Sequence, residues 1–278
     1  MISPRQPGVR HGIPLRTIVP NAVTALALCS GLFGIRFGIG GEWEKAAIAI
    51  IIAAVLDGLD GRIARLLNGQ SRFGAELDSL SDVTAFGVAP AIIVYLWVLQ
   101  PLDPGTLLRR EWIDWGWIAV LAHAACCALR LARFNANIDR KDQPHKSAGY
   151  LTGVPAPAGA GLAFLPLYWF LWTGNDIFRH PGLVAPWTAL VAFLMISSVA
   201  TFSWGSLRLR SGLRLGALVV IALIAAALAS NPWPVLSIAG VIYLAVIPFS
   251  IVSYGKIRRQ RATATPAAPP AGDSAAAP

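Results

Sequence analysis

The sequence has few charged residues for its length. Asp, Glu, Lys and Arg make up 13% of its 278 residues, whereas a soluble domain carries about a quarter. Hydrophobic residues reach 55%, and the mean hydropathy is +0.59. This balance excludes a soluble globular enzyme, a disordered chain, a coiled coil and a collagen-like fibre, and it predicts a protein that crosses a membrane several times.

Cysteines and acidic residues are also scarce. The cysteines Cys29, Cys126 and Cys127 lie inside apolar runs, which excludes a disulfide framework and a zinc site built from cysteine. The 23 Lys and Arg residues outnumber the 14 Asp and Glu residues, so the net charge is +9. Nucleic acid is a common partner of so basic a chain. A positive cytoplasmic face explains the excess equally well, and we expect no nucleic-acid partner.

Eight apolar segments run through most of the chain, each about long enough to cross a bilayer of roughly 30 Å as a helix. We therefore predict an all-α, polytopic transmembrane helix bundle with about eight transmembrane helices. The segments lie near Pro20–Ile39, Lys45–Leu67, Leu80–Leu99, Trp112–Phe134, Pro155–Trp172, Val184–Trp204, Leu213–Ser230 and Trp233–Ser253.

These segments divide the chain into four predicted parts. Residues 1–14 form a polar cytoplasmic N-terminus without the pattern of a cleavable signal peptide, and the first apolar segment is expected to act as a signal anchor. Residues 15–204 form a six-helix membrane core, and residues 205–255 form an additional transmembrane hairpin. Residues 256–278, which end in an Ala/Pro-rich stretch, are expected to be a disordered cytoplasmic tail.

The basic residues are unevenly distributed between the two ends of these segments. Both termini and alternate connections hold 18 of the 23 Lys and Arg residues. The opposite side holds only Arg36, Lys45, Arg109, Arg110 and Arg179. Because cytoplasmic loops are enriched in Lys and Arg, this bias predicts that both termini lie in the cytoplasm.

Four aspartates lie close together in this acid-poor chain. Asp57 and Asp60 are three residues apart near the end of the second segment, and Asp78 and Asp82 are four apart at the start of the third. Each pair shares a helix face, and the short connection between them predicts antiparallel helices whose acids meet near the cytoplasmic surface. Four like charges would repel or take up protons unless they bound a cation. All-oxygen ligation favours Mg²⁺ or Mn²⁺, and Mg²⁺ commonly joins carboxylates to substrate phosphates.

Glycines and arginines among these acids fit a phosphate ligand. The glycines are poor helix residues that would let a ligand or a neighbouring backbone approach, and the arginines could pair with phosphate oxygens. The alternative is a set of salt bridges between the acids and the arginines that holds two helices together. The residues concerned are Gly58, Gly61, Gly74, Arg62, Arg65 and Arg72.

The string from Asp57 to Asp82 resembles the signature of the CDP-alcohol phosphotransferase family. That signature reads Asp-x-x-Asp-Gly-x-x-Ala-Arg, eight further residues, then Gly-x-x-x-Asp-x-x-x-Asp. A Pro-Asn-x-x-Thr string similar to the family's occurs at the start of the first segment, from Pro20 to Thr24. Every fixed position of the signature is met, by Asp57, Asp60, Gly61, Ala64, Arg65, Gly74, Asp78 and Asp82.

The resemblance implies a role for each part of the signature. Asp57, Asp60 and Asp78 would hold one metal ion, and Asp57, Asp78 and Asp82 would hold a second. Asp82 would also act as the general base. The CDP group would contact Asn21, Ala22, Val23, Thr24, Gly61, Arg65 and Ser71. Without the resemblance, the residues predict a metal–phosphate site but not the cytidine.

A further stretch concerns the acceptor alcohol. Arg130 and Arg133 share a helix face at the end of the fourth segment, and a paired cationic face suits a small anionic acceptor. Ordinary anchoring of a cytoplasmic helix end, or contact with lipid headgroups, is the alternative. The string from Arg130 to Asn135, with the later Gly-x-Pro-x-Pro-Ala, resembles the phosphatidylserine synthase branch of the family. The likeness covers roughly Pro20 to Ala163, although Val154 and Gly159 stand where that branch is expected to have Leu and Ala.

The resemblance implies an integral, multi-pass membrane enzyme that transfers a phosphatidyl group from CDP-diacylglycerol to L-serine and releases CMP. Arg130, Arg133 and Asn135 would bind the serine, and two Mg²⁺ or Mn²⁺ ions would assist. We expect it among the lipids of a bacterial inner membrane, with its site facing the cytoplasm. A sister enzyme that uses glycerol phosphate or inositol phosphate, a cation transporter and a scaffold are the alternatives. The sequence leaves the oligomeric state open, and a homodimer is one option.

Overall fold

The computed structural model describes residues 15–99, 107–136, 150–202 and 214–264. Over these ranges the chain consists of helices and one short strand pair. The predicted N-terminal part, residues 1–14, lies outside the described residues, as does the predicted tail from residue 265 onwards.

The helices follow the order of the predicted segments. Helix α1 (Leu15–Ile39) and helix α2 (Trp43–Leu66) are joined by a short turn, and α3 (Arg72–Asp82) continues through a π-helical turn (Val83–Val88) into α4 (Ala89–Leu99). The later elements are α5 (Leu107–Ala136), α6 (Ala156–Ala163), α7 (Leu165–Thr173), a 3₁₀ turn (Asp176–Arg179), α8 (Pro181–Ile196), α9 (Arg214–Ser230) and α10 (Pro232–Ala264).

Several helices are long and apolar enough to cross a membrane. Within the described ranges four stretches meet both requirements, and two shorter apolar helices, Pro181–Ile196 and Gly216–Ser230, accompany them. The predicted total of about eight spans therefore stays a prediction. The four stretches are Leu15–Ile39, Arg72–Val98, Trp115–Ala136 and Pro232–Lys256.

The sixth predicted segment is wrong at its C-terminal end. Helix α8 ends at Ile196, and residues Ala200–Phe202 form a strand, β2, that pairs antiparallel with β1 (Tyr150–Thr152). Two serines follow α8, and serine side chains compete with the helix for backbone partners. The Gly153 N–H then donates to the Val199 carbonyl at 2.7 Å. The fold is thus helical but not purely so.

The last helix passes the predicted boundary between hairpin and tail at residue 255. Helix α10 continues to Ala264, so the first part of the predicted disordered tail is helical. Lys, Arg, Gln and Ala are strong helix formers, and no proline follows Pro248 until Pro266. These residues therefore favour continuation of the helix past the predicted boundary.

Small residues determine how closely the first helices pack. Helix α1 lies against α2 and also contacts α3 and α4, and it buries Ala27, Gly31, Gly34 and Gly38 at helical spacing. A Cβ atom on Gly31 would lie 2.8 Å from the Cα atom of Ala85. Small side chains let helix backbones approach in membrane proteins. Here they let α2 and α3, the helices that carry the aspartates, both pack against α1.

Candidate active site

Helix α1 connects the two acid-bearing helices through Thr24. The buried Thr24 hydroxyl donates to Asp60 Oδ2 at 2.6 Å and lies 3.1 Å from the Pro20 carbonyl. The Thr24 carbonyl accepts from the Ser81 hydroxyl of α3 at 3.2 Å. Asp60 is only 5% exposed, so its carboxylate is held in one orientation beside α1.

The connection between α2 and α3 folds onto the start of α1. Ser71 caps α3, because its hydroxyl accepts from the Gly74 N–H at 3.0 Å, and such caps start helices. A Cβ atom on Gly69 would collide with the Arg16 carbonyl, and one on Gly74 would lie 2.8 Å from Asn21 Oδ1. These two glycines therefore allow the approach that determines where α3 begins relative to α2.

This arrangement brings the predicted acids together. Asp57, Asp60 and Asp78 each offer a carboxylate oxygen, and these oxygens lie within 4.8 Å of one another. The Asp82 side chain contacts that of Asp57 and lies near Asp78. Both α2 and α3 thus contribute to one cluster, as the spacing of the sequence predicts.

The cluster has the chemistry of a site for a hard divalent cation. Oxygen ligands of Mg²⁺ at about 2.0–2.1 Å in an octahedron lie about 3 Å apart when adjacent and about 4 Å apart when opposite, which the three carboxylates can reach with small side-chain shifts. Within the described ranges none of the four aspartates has a salt bridge to Lys or Arg; the pair found there joins Lys45 and Glu42. The described residues therefore do not form the acid–arginine salt bridges that were the alternative to a cation site.

A π-helical turn follows Asp82 directly. Such turns are rare and are frequently found at functional sites. The Phe86 carbonyl within it accepts a hydrogen bond from the buried His123 Nε2 of α5 at 3.2 Å, so His123 is a packed residue that ties α5 to this turn. The sequence Val83–Val88 carries no signal that distinguishes this turn from an ordinary helix, and sequence reasoning missed it.

The residues predicted to contact CDP lie on α1, on α2 and at the start of α3, the helices that form the site. Asn21, Ala22, Val23 and Thr24 lie on the first turns of α1, and Ser71 lies at the start of α3. The Thr24 hydroxyl binds Asp60, and the Ser71 hydroxyl caps α3. The sequence did not predict either of these roles. The remaining two, Gly61 and Arg65, lie on α2, and the Arg65 guanidinium is the nearest group to a Cβ atom placed on Gly61, at 4.0 Å. Contact with a nucleotide stays a prediction for all seven.

The predicted acceptor residues have three different environments. Arg130 is half-buried on α5 and lies within electrostatic range of Asp82. Arg133 is exposed and donates from Nη1 to the Ile196 carbonyl at 2.8 Å. Asn135 donates from Nδ2 to Ser79 Oγ at 2.9 Å. Arg130 therefore adjoins Asp82, while Arg133 and Asn135 tie the end of α5 to α8 and α3. Binding of serine stays a prediction for all three.

One residue near the site was absent from the sequence predictions. Tyr243 of α10 lies near Arg130 and beside Thr201 of β2. The available signal was its position in the middle of the eighth apolar segment, since membrane tyrosines are enriched near the interfaces instead.

Comparison with known proteins gives consistent matches. The profile described as CDP-alcohol phosphatidyltransferase matches residues 17–204, and CDP-alcohol phosphatidyltransferase 2 matches residues 212–248. The CDP-diacylglycerol–serine O-phosphatidyltransferase of Mycobacterium tuberculosis (strain H37Rv) is 35% identical over 252 residues, which cover 89% of this chain and 82% of that protein. The Helicobacter pylori (strain J99) protein of the same name is 34% identical over 66% of this chain and 70% of its own length. The archaetidylserine synthase of Methanothermobacter thermautotrophicus is 32% identical over 51% of this chain and 54% of its own length.

Proposed function

The chain belongs to the CDP-alcohol phosphatidyltransferase family, and we propose that it acts as a phosphatidylserine synthase. It transfers the phosphatidyl group of CDP-diacylglycerol to the hydroxyl of L-serine and releases CMP. The relatives that cover most of this chain carry the name of that activity. The observation that carries the chemistry is the convergence of Asp57, Asp60 and Asp78 beside Asp82.

The chain is an integral membrane protein, because several of its helices are apolar enough to span a bilayer and its family consists of membrane enzymes. We place it in a bacterial inner membrane with about eight spans and with both termini and the aspartates at the cytoplasmic face. The Lys and Arg bias supports this orientation. Serine would then arrive from the cytoplasm and CDP-diacylglycerol from the surrounding lipid.

The aspartates supply the ligands for divalent cations. Asp57, Asp60 and Asp78 would hold one Mg²⁺ or Mn²⁺, and Asp57, Asp78 and Asp82 would hold a second. When bound, such cations neutralise the diphosphate and make CMP a better leaving group. Cβ atoms placed on Gly58 and Gly61 would meet no atom closer than 4.0 Å, which leaves room for the diphosphate over this face of α2.

Asp82 acts on the acceptor. Its carboxylate takes the proton of the serine hydroxyl while the serine oxygen forms a bond to the β-phosphorus. The bond from that phosphorus to the bridging oxygen breaks, and CMP leaves with the electron pair. Aspartate is a weak base, so the positioning of serine next to the phosphorus must supply much of the acceleration. Arg130, with Arg133, would hold the serine carboxylate.

An acceptor comparison tests this function. Purified enzyme would be given CDP-diacylglycerol with radiolabelled serine, glycerol 3-phosphate or inositol phosphate, with and without EDTA. We expect lipid product from serine alone, its loss in EDTA and its recovery in excess Mg²⁺ or Mn²⁺. Product from another acceptor would identify a sister enzyme. Metal uptake into liposomes without any lipid product would identify a transporter, although transporter sites usually lie near the bilayer midplane.

A further inference from the structure

The last helix reaches the site through the strand pair. Helix α10 lies outside the six-helix core predicted from the sequence, yet it packs against α7 and β2. Its Tyr243 lies beside Thr201 of β2 and near Arg130 of α5. Arg130 in turn lies within electrostatic range of Asp82. The last helix is therefore linked to the aspartate cluster by a row of three neighbouring side chains, Tyr243, Arg130 and Asp82.

Two buried polar atoms in this row lack partners. Tyr243 Oη and Arg130 Nε are both inaccessible to solvent, and neither makes a well-aligned hydrogen bond in the part of the chain that the structure describes. The Thr201 hydroxyl beside Tyr243 directs its hydrogen to the Gly153 carbonyl at 2.9 Å, so it offers the phenol only an oxygen lone pair, and that contact falls outside good hydrogen-bond geometry. Buried polar groups are nearly always hydrogen-bonded, so two neighbouring orphans indicate that a ligand supplies the missing acceptor.

The chemistry of the two atoms defines that ligand. The guanidinium Nε–H can only donate, and the phenol O–H donates readily. A guanidinium adds a full positive charge, so an anionic oxygen acceptor is favoured over a neutral one. In serine, the two carbon atoms Cβ and Cα separate the hydroxyl oxygen from the carboxylate carbon. A serine held by its carboxylate at Arg130 would therefore present its hydroxyl toward Asp82.

We propose that Tyr243 and Arg130 together bind the carboxylate of the acceptor, so that the last helix takes part in the selection of serine. This inference rests on the proposed function, because it assigns a place to the acceptor of that reaction. It gives the hairpin formed by α9 and α10 a task in substrate recognition. It also gives the β1–β2 pair a task, since β2 holds Thr201 against Tyr243.

The test is Tyr243→Phe in the full-length enzyme, with KM and kcat measured separately for serine and CDP-diacylglycerol. Phenylalanine keeps the ring and removes only the hydroxyl. Loss of a hydrogen bond to a charged group predicts a rise of about tenfold or more in the KM for serine. The KM for CDP-diacylglycerol, the kcat and the thermal unfolding temperature should stay close to those of the wild type.

Tyr95→Phe is the matched control. Tyr95 also contacts α5, through an edge-to-face pair with Trp117 whose ring centroids lie 4.9 Å apart. It lies in α4, however, and the whole π-helical turn separates it from Asp82 along the chain. Its loss of a hydroxyl should leave both KM values unchanged. An unchanged KM for serine in Tyr243→Phe, or equal rises for both substrates, would overturn the inference alone. A wild type without serine-dependent release of CMP would overturn the proposed function as well, which separates the two failures.

Discussion

The Thr24 hydroxyl holds the most buried of the four aspartates. It donates to Asp60 Oδ2 across the α1–α2 interface, which fixes the orientation of a carboxylate that also offers an oxygen to the cluster with Asp57 and Asp78. Groups that orient metal ligands in this way are commonly worth tenfold or more in affinity. The family resemblance assigned Thr24 to the nucleotide, whereas in the structure its hydroxyl makes its shorter contact with Asp60 at 2.6 Å and a longer one with the Pro20 carbonyl at 3.1 Å. Thr24 therefore supports the site by orienting Asp60.

Replacement of Thr24 by Val should therefore weaken metal binding more than folding. Valine keeps the shape of threonine but cannot donate, and we expect the Mg²⁺ or Mn²⁺ concentration for half-maximal activity to rise by about 10–100-fold. Thr188→Val is the control, because the buried Thr188 hydroxyl donates only to the Val184 carbonyl of its own helix at 2.8 Å. A metal titration of both variants checks this; equal shifts would mean that loss of any buried hydroxyl is responsible.

Replacement of Asp82 by Asn should abolish turnover. Asparagine keeps the size of the side chain but cannot take the proton, and a general base contributes about 10²–10⁴-fold to the rate. The fold should survive, since one of several neighbouring like charges is removed. The rate of CMP release and the thermal unfolding temperature measure the two effects, with the exposed Asp176→Asn as control. Recovery of activity at high metal concentration would contradict the role of Asp82 as the base and leave only its role as a metal ligand.

Among the elements, α6 and α8 pack closely where Gly159 faces Met195. A Cβ atom on Gly159 would collide with the Met195 Sδ, and both residues are buried. This contact explains why glycine stands where the related branch is expected to have alanine: the Met195 side chain fills the space. The same packing positions the end of α8, where the Ile196 carbonyl accepts from Arg133.

Replacement of Gly159 by Ala should destabilise the α6–α8 contact. Overpacking of a buried site costs about 1–3 kcal/mol, which thermal unfolding in one detergent can detect. Gly161→Ala is the matched control in the same helix, because a Cβ atom there meets nothing within 4 Å. Alanine at position 161 should be neutral or stabilise by up to about 1 kcal/mol. Equal losses in both variants would argue against the role of Met195.

The sequence predicted the order of helices and the meeting of the four aspartates, because apolar length and helical spacing are local properties of the chain. It did not predict the β1–β2 pair, since each strand is three residues long and gains its partner from a distant part of the chain. It also missed Tyr243, because proximity to Arg130 depends on how α10 packs. Local pattern thus predicts the aspartate cluster, and tertiary packing decides which residues adjoin it.

At the scale of the whole molecule, the site lies at one end of the first helices. Asp57 and Asp60 lie toward the end of α2, and Asp78 and Asp82 lie in the second half of the short helix α3, which starts the helical run Arg72–Leu99. Helices α5 and α10 approach the same end with Arg130 and Tyr243. A water-soluble acceptor and a lipid donor can both reach such a place only if that end faces the compartment that contains serine.

The orientation of the whole chain can be tested with single cysteines at two exposed positions. Glu44 lies in the first turn of α2, and Gln70 lies in the connection from α2 to α3. In a background with Cys29, Cys126 and Cys127 replaced by Ala, a membrane-impermeant maleimide should label Glu44→Cys in spheroplasts. It should label Gln70→Cys only after lysis, because the predicted cytoplasmic face carries the Lys and Arg excess. Both variants should still make lipid product from serine, which shows that they fold. The reverse labelling pattern would place the aspartates on the outer face, away from the cytoplasmic serine that the proposed reaction requires.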